Sequence, residues 1–491
     1  MRIRSILGAL MVCTLSALPV WAEDKTLEER IKKLEEELKA VKEHERREGP
    51  MERREGEAPP AAQYPTPTGP ITDIKVERKG EEKVPLGFSS TGSGRLIYAK
   101  PFLAAPKATI GGYTDIKFGS VTGPTLDNPS RQTFNQERMV PFIYADITDR
   151  VKFATEIEFE RGGTNSPGPN INGTGNTASG AIQLEFAQLD YLVTEAVNVR
   201  AGILLMPVGK FNLLHDSPLN DFADRPLVDR LVIPSTWFES GAGIYGTLYP
   251  TSLSKVDYEL YVVNGLGGNP GTTITDSSGL RNARGSVSRD NNDGKGVVGR
   301  VAFSPMLGIE VAGSSYYGQY TNKNAAGVNN QNSNVGIYAI DWTLQRGAWE
   351  LIGEAAWARI TGNQIPGAIG PAGMNGYYIQ ANYHFMPEFL KRLAPTHFSD
   401  ASTFTASIRW DSVDTDTDGR TRTATSGDQR DLQRLTLGLN FRPIEDVAFK
   451  FNYMFNTQRN TNLTNFVNNP GNSIPTRIDG NGFLFQAATY F

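Results

Sequence analysis

Cysteine is almost absent from this chain of 491 residues, because its single cysteine is Cys13, in the apolar run near the N-terminus. If that run is removed on export, the mature chain has no cysteine. Neither disulfide bonds nor thiolate metal sites can then stabilise it. A lipid anchor at Cys13 is disfavoured, because Val12 stands where a small residue is expected. Stability must come from hydrogen bonds and burial.

Histidine and catalytic motifs are also scarce. The four histidines form no His-Glu-x-x-His pair, and there is no Gly-x-Ser-x-Gly elbow. We therefore expect no enzymatic activity, no catalytic residues, no cofactor and no metal site. The formal net charge of −4 is small for this length and predicts no nucleic-acid partner.

Long hydrophobic segments are lacking after the start of the chain. Arg2 and Arg4, the apolar residues 6–20 and the small residue Ala22 are typical of a secretory signal peptide over residues 1–22. Its apolar run of about 15 residues falls short of the roughly 20 needed for a spanning helix. The mature protein is therefore either soluble in the periplasm or crosses a membrane as a β-barrel, whose strands alternate between lipid and water.

Three segments precede the main domain. Residues 23–48 are predicted to form a short periplasmic coiled coil, with a lone amphipathic helix as the alternative; the heptad positions are Leu27, Ile31, Leu34, Leu38 and Val41. So short a coil is marginal alone, which favours an oligomer. The proline- and charge-rich residues 49–85 predict a disordered linker. Residues 86–107 are ambiguous between a short strand and an entry into the main domain.

From residue 108 to residue 491 the chain alternates between apolar and polar residues with period two. In residues 376–385, for example, Tyr377, Ile379 and Tyr383 share one face, while Gln380 and Asn382 share the other. One face of each segment is apolar and the other polar, as in strands that separate lipid from water.

We count sixteen such strands, joined alternately by short turns and long polar loops, with one exception at residues 387–400. An even number of strands, with short turns at one end of the barrel and long loops at the other, is typical of bacterial outer-membrane barrels. The fold class is therefore an all-β transmembrane antiparallel barrel, preceded by the coiled-coil helix. The predicted strands are 108–118, 138–147, 150–161, 181–193, 196–206, 241–249, 255–264, 295–304, 307–319, 334–346, 348–360, 374–386, 401–412, 431–442, 445–457 and 480–491.

Aromatic residues near strand ends agree with a membrane location. The apolar faces carry such residues where interfacial girdles are expected: Trp342, Trp357, Tyr383, Phe385 and Trp410. The chain ends on Phe491, which resembles the terminal signal of outer-membrane barrels.

Several motifs resemble the family of phosphate-selective porins O and P. They are residues 186–212 (FAQLDYLVTEAVNVRAGILLMPVGKFN), 224–246 (DRPLVDRLVIPSTWFESGAGIYG), 258–265 (YELYVVNG), 376–385 and 435–443 (LTLGLNFRP). The resemblance implies a sixteen-stranded homotrimeric porin whose third outer loop folds into the lumen. It also implies transport of phosphate or other small anions, although members differ in substrate. We assign none of the family's phosphate-binding residues to this chain, because its arginine ladder and lysine cluster cannot be matched to positions of this sequence.

The third outer loop, residues 207–240, contains apolar residues that a solvated loop would not need. We expect it to fold inward and form a constriction. Each of its charges is open to two interpretations, a role in selectivity or a structural ion pair: Lys210, His215, Asp216, Asp221, Asp224, Arg225, Asp229 and Arg230. The next outer loop, with Arg281, Arg284 and Arg289, is expected to stay apart from it.

Charges of both signs occupy the predicted inner face, so selectivity stays undecided. The basic candidates for lining the pore are Lys117, Lys152, Arg200, Arg300, Arg409, Arg434 and Lys450. Facing them are Asp115, Glu156, Glu158, Glu185, Asp257, Glu259, Glu310, Asp341, Glu350 and Glu354.

Residues 414–419 (DTDTDG) have the spacing of a calcium loop, but Thr425 stands where a bidentate glutamate is required, which favours a solvated acidic turn.

The sequence predicts an outer-membrane channel for passive diffusion of small hydrophilic solutes or ions, surrounded by lipid. The alternative is a structural or adhesive barrel tethered through its coiled coil.

Overall fold

The computed structural model describes most of the predicted barrel region. Its described residues are 108–121, 133–162, 181–284, 287, 290, 292–321, 333–365, 367–421, 431–459 and 477–491. The predicted signal peptide (1–22), coiled coil (23–48), linker (49–85) and ambiguous segment (86–107) lie outside them, as does Arg289.

Sixteen antiparallel strands close into one barrel, in which each strand pairs with its neighbours along the chain and β1 pairs with β18. The predicted sixteen-stranded barrel is therefore confirmed. The strands are β1 (Ala108–Val121), β2 (Thr133–Asp146), β3 (Val151–Glu160), β4 (Ala181–Leu192), β5 (Asn198–Leu205), β6 (Phe238–Leu248), β7 (Lys255–Val263), β8 (Gly296–Met306), β9 (Ile309–Gln319), β10 (Asn334–Arg346), β11 (Trp349–Ile360), β14 (Gly373–Phe385), β15 (Thr403–Asp414), β16 (Asp431–Arg442), β17 (Val447–Arg459) and β18 (Arg477–Tyr490).

The closing seam uses the last residue of the chain. Tyr113 lies opposite Tyr490, and the backbone N–H groups of Gly112 and Phe491 each donate to the other's carbonyl, at 3.0 and 2.9 Å. Closure leaves no edge strand, which a sheet surrounded by lipid requires because an unpaired backbone group there costs several kcal/mol.

The two faces of the wall differ in chemistry. In β7, Asp257, Glu259 and Tyr261 point inward and are buried, whereas Leu260 and Val262 point outward and remain 48% and 52% exposed. Outward apolar side chains on a closed barrel are suited to lipid. The predicted apolar face of residues 376–385 is likewise outward, with Ile379 44% exposed.

The connections alternate in length around the barrel. Short turns follow β2, β4, β6, β8, β10 and β16, and long connections follow the other strands of the wall. The connection from β14 to β15 is the exception, because it lies at the short-turn end but is long and contains helix α2 (Glu388–Leu393). The long connection from β11 to β14 contains a small hairpin of β12 (Gln364–Ile365) and β13 (Ala368–Ile369). No helix in the described part of the chain is long and apolar enough to cross a membrane.

Two long connections carry the functional argument. The L3 loop, residues 206–237, joins β5 to β6 and contains helix α1 (Leu227–Leu231). It ends three residues before the predicted limit of 240, because β6 already begins at Phe238. The L4 loop, residues 264–295, joins β7 to β8 and contains a 3-10 turn (Arg281–Ala283).

Candidate functional site: the barrel lumen and its loops

The L3 loop lies inside the barrel and is attached to the wall from its first turn. The backbone N–H groups of Lys210 and Phe211 both donate to Oε2 of Glu354 on β11, at 2.8 and 3.2 Å. The Lys210 ammonium donates to Thr343 at 2.8 Å and lies 3.1 Å from Glu310. The positive charge of Lys210 is thus held by strands β9 to β11.

The next segment of L3 reaches a different part of the wall. His215 Nε2 lies 3.0 Å from Glu185 of β4, and Asp216 accepts a hydrogen bond from the Tyr490 hydroxyl at 3.0 Å. Ser217 donates to Asp115 of β1 at 2.8 Å, and its carbonyl accepts from Lys450 of β17 at 2.5 Å. L3 therefore spans the lumen instead of following one side of it.

The acidic residues after Ser217 fasten L3 to strands β14 to β16. Asp221 accepts hydrogen bonds from Asn382 and Asn440, at 2.7 and 3.2 Å. The carboxylate of Asp224 forms an ion pair with Arg434, and its carbonyl accepts from Arg409 at 3.0 Å. These contacts give both aspartates a structural role.

Helix α1 contacts the barrel wall and contains a buried acidic residue, Asp229. The backbone N–H of Leu227, at its start, donates to Asp411 of β15 at 3.0 Å. Asp229 is fully buried, and burial together with the neighbouring Glu354 carboxyl raises its pKa well above the usual value. Burial and the neighbouring carboxyl group thus disfavour the charged form of Asp229.

An apolar cluster inside the barrel explains the hydrophobic residues of L3. Leu227, Val228, Ile233 and Trp237 pack with inward residues of strands β7 to β16, including Tyr316, whose ring meets that of Trp237 edge-on at 4.9 Å between centroids. The wall beneath L3 is therefore partly apolar, and this part of the lumen is filled by protein.

The L4 loop packs directly on L3, contrary to the expectation that it stays apart. Leu280 N–H donates to the Leu231 carbonyl at 2.8 Å. Arg281 and Arg284 donate to the carbonyls of Ser235 and Thr236, at 3.2 and 2.8 Å. The expectation was wrong because the apolar residues Leu280 and Ala283 of L4 join the cluster under L3 and bring the arginines with them.

Five arginines come together where L3 meets L4 and strand β2; we call them the arginine cluster: Arg138, Arg225, Arg230, Arg281 and Arg284. Burial, followed by the guanidinium of Arg138, lowers the pKa of Arg225. Burial, followed by Arg284, Arg230 and Arg225, lowers the pKa of Arg281. The guanidinium groups of Arg225 and Arg281 thus experience repulsion from other arginines, while nearby glutamates offset part of the positive charge of the cluster.

The pairing within the cluster is unequal. Arg138 lies 2.6 Å from Glu158, and Arg230 lies 3.3 Å from Asp224. Among the described residues, Arg225, Arg281 and Arg284 form no ion pair with a carboxylate, and Nη2 of Arg225 has no hydrogen-bond partner. All three side chains are partly exposed. The sequence analysis named Arg225 and Arg230 in L3 but missed Arg138, and it assigned Arg281 and Arg284 to a separate loop.

The seven basic residues predicted to line the pore lie on the inner face, but five of them are buried. Arg200, Arg300 and Arg409 pair with Asp190, Asp341 and Asp411, at 2.7, 2.7 and 2.9 Å respectively. Arg434 pairs with Asp224 in L3, and Lys450 donates to the Ser217 carbonyl. Their charges face protein instead of water.

Lys117 and Lys152 are the two that stay partly exposed, at 16% and 12% of the side chain. Lys117 lies 3.5 Å from Glu137, and Lys152 lies 2.7 Å from Asp146. Each is therefore neutralised by a carboxylate while still reaching water.

The acidic turn at residues 414–419 is closed on itself. Asp416 is 1% exposed and accepts hydrogen bonds from the backbone N–H groups of Arg420 and Thr421, at 3.0 and 2.9 Å, and from the Thr421 hydroxyl at 2.7 Å. Its carboxylate oxygens are thus occupied by donors, whereas Thr417 and Asp418 of the same turn are exposed to solvent.

Comparison with known proteins agrees with the motifs. The family model described as phosphate-selective porin O and P matches residues 109–338. An uncharacterized protein of Aquifex aeolicus (strain VF5) is 26% identical over 304 residues, which is 59% of this chain and 64% of that protein. The match therefore spans less than two thirds of that relative.

Solved structures align with this chain at low sequence identity. The outer membrane channel DcaP of Acinetobacter baumannii is 8% identical, with a TM-score of 0.48, and the alignment covers 78% of this chain and 97% of that one. The anion-selective porin from Comamonas acidovorans is 12% identical, with a TM-score of 0.46, over 78% of this chain and 99% of that one. The motifs at 186–212 and 224–246 lie within residues 109–338, and over those residues the predicted resemblance to the phosphate-selective porin O and P family is confirmed.

Proposed function

We propose that this chain is an outer-membrane porin that lets small hydrophilic anions, phosphate among the candidates, diffuse across the membrane. The observation that carries the proposal is the closed wall of sixteen strands, apolar outside and largely polar inside. A barrel of this size has a lumen too wide for its own side chains to fill. An aqueous passage then depends on how the loops occupy the lumen.

L3 is proposed as the constriction. Its contacts with strands on several sides of the lumen narrow the cross-section and hold the loop in place, as the attachments of Lys210, Ser217 and Asp221 illustrate. A pore narrowed in this way has low-dielectric walls, and charges at its rim act strongly on passing ions.

Anion preference is proposed on the basis of the arginine cluster. Arg225, Arg281 and Arg284 carry positive charge without a carboxylate ion-pair partner among the described residues, next to the point where L3 and L4 meet. Most of the other basic groups of the lumen are neutralised by neighbouring acids. These three guanidinium groups at the proposed constriction therefore favour anions, a preference that the mixed charges of the predicted inner face left undecided.

Assembly and location follow from the same proposal. The long loops would face outward and the short turns the periplasm, together with the predicted coiled coil. A homotrimer is proposed because the family resemblance implies one and because the heptad residues need partners.

A structural or adhesive barrel is the competing function, since L3, L4 and the apolar cluster fill part of the lumen. The decisive experiment is conductance of the purified protein in a planar lipid bilayer. A porin gives discrete current steps, with an anion-directed zero-current potential across a salt gradient. A silent bilayer containing correctly folded protein would reject the channel and favour the structural alternative.

A further inference from the structure

Three potential metal ligands meet at one buried point between the barrel wall and L3. They are Glu156 of β3, Glu185 of β4 and His215 of L3, and one ligand atom of each lies within 4.8 Å of the others. Their exposed fractions are 0%, 0% and 3%. Three ligand side chains from separate elements are thus brought together away from bulk water.

A β-bulge brings Glu185 to this point. Glu156 lies opposite Phe186, but the next residue, Ile157, lies opposite Leu184, so Glu185 is an extra residue in β4. Glu185 and Phe186 are consequently both buried, although burial alternates in the rest of the strand. Bulges re-aim side chains and are frequent beside functional sites.

The ring of His215 is oriented to coordinate through Nε2. Its Nδ1 lies 2.9 Å from the Asn212 carbonyl oxygen, which can only accept, so Nδ1 carries a proton. In the neutral ring the Nε2 lone pair then faces Oε2 of Glu185 at 3.0 Å. Either a second ring proton on Nε2 or a metal ion must therefore lie between these two atoms. Metal-bound histidines usually donate their other ring N–H in this way, often to a backbone carbonyl.

The carboxylate of Glu156 supplies an independent observation. Both of its oxygens are buried, and neither receives a hydrogen bond from a donor group of the described residues. A bond to Glu185 would itself require a proton held between the two carboxyl groups. Across the sheet Glu156 faces Phe142 and Phe186, which belong to a buried aromatic cluster. A carboxylate buried away from water needs a compensating cation or donor.

We propose that Glu156, Glu185 and His215 bind one divalent first-row transition-metal ion, with Zn²⁺ as the probe. Imidazole nitrogen and carboxylate oxygen bind zinc at about 2.0 to 2.2 Å in a tetrahedral shell, which puts neighbouring ligand atoms roughly 3.3 to 3.6 Å apart. The His215 and Glu185 atoms are 3.0 Å apart and need to separate by only a few tenths of an ångström. Sequence analysis predicted no metal site, because these ligands have no recognisable motif spacing and meet only through the bulge and L3.

The bound ion would fasten L3 to β3 and β4, whereas Lys210 fastens it to β9, β10 and β11. Metal binding at this site does not depend on transport of solutes through the barrel. The inference therefore stands or falls separately from the proposed channel.

The test uses the purified full-length chain in detergent, stripped with a chelator and titrated calorimetrically with Zn²⁺, with bound metal counted by mass spectrometry. We expect one tightly bound Zn²⁺ per chain. Glu156→Gln and His215→Gln should each weaken that binding by at least about 100-fold. The matched controls Glu388→Gln and His397→Gln, at exposed residues of the short-turn end, should leave it unchanged.

Heat-modifiable electrophoretic mobility shows which variants have folded. X-ray absorption spectroscopy of the zinc-loaded unsubstituted chain identifies the ligands of the bound zinc without any variant. We expect a coordination shell of one imidazole nitrogen and carboxylate oxygens. Absence of stoichiometric Zn²⁺ from the folded chain, binding that His215→Gln does not weaken, or a zinc shell without imidazole would each overturn the site. Bound protons, and not a metal ion, would then compensate the negative charge of the Glu156 and Glu185 carboxylates beside His215.

Discussion

The arginine cluster yields the sharpest prediction, because the proposed function assigns its charges to the passage and most other inner-face charges to contacts with protein. We consider the triple variant Arg225→Gln, Arg281→Gln and Arg284→Gln. Glutamine keeps a long polar side chain that can donate to the Ser235 and Thr236 carbonyls, while three positive charges are removed.

The size of the effect follows from Coulomb's law. An anion about 4 Å from one guanidinium gains about 1 kcal/mol at the dielectric constant of water and about 4 kcal/mol at an effective constant near 20. We take the lower figure and count a single charge, so the result is a minimum for the three charges removed. A cation is repelled by the same amount, so the difference is about 2 kcal/mol, or roughly thirtyfold in the anion-to-cation permeability ratio.

The assay is the zero-current potential of single channels across a salt gradient. The control variant, Arg150→Gln, Arg346→Gln and Arg392→Gln, removes the same net charge from exposed positions at the short-turn end. We expect the cluster variant to move strongly toward cations and the control to move little. Equal shifts, or no shift in a correctly folded cluster variant, would refute the assignment of these arginines to the passage.

Three further outcomes are expected. Asp411→Ala should lower the free energy of unfolding by about 3 to 5 kcal/mol, because it leaves the buried Arg409 guanidinium without its carboxylate, whereas an unchanged denaturant midpoint would contradict that pairing. Deleting residues 23–85 should leave single-channel conductance unchanged, since the barrel closes its own hydrogen bonds; a truncated chain that cannot refold in detergent would reveal a structural element there. The mature protein should migrate in mild detergent as a compact trimer that heating unfolds, and light scattering that gives a monomer at micromolar concentration would count against it.

The strands could be predicted from the sequence because their signal is local. Apolar and polar residues alternate wherever one face meets lipid, so β10, predicted as 334–346, has those limits in the structure. The largest differences in strand limits are at the ends near long connections, as in β2, which begins at Thr133 and not at residue 138. Residues 135–137 of β2 (NQE) are all polar, so alternation does not mark that end.

The structural partners of the loop charges could not be predicted. Lys210 and Glu354 are 144 residues apart in the chain, and Lys450 is 233 residues from Ser217. The apolar residues of L3 indicated a buried loop, but the identity of the wall strands beneath it depends on barrel closure. The bulge that turns Glu185 inward also shifts the alternation by one residue, which a strict period of two does not reveal.

The sequence by itself determined the barrel, the number of its strands and the side of each strand that meets lipid, because these depend on the period of neighbouring residues. Only the tertiary structure decided which inner charges are neutralised, that L4 packs on L3, and that Glu156, Glu185 and His215 meet. Ion pairs and ligand sets form between groups a few ångströms apart in space, and once the barrel has closed, that distance no longer depends on separation along the chain.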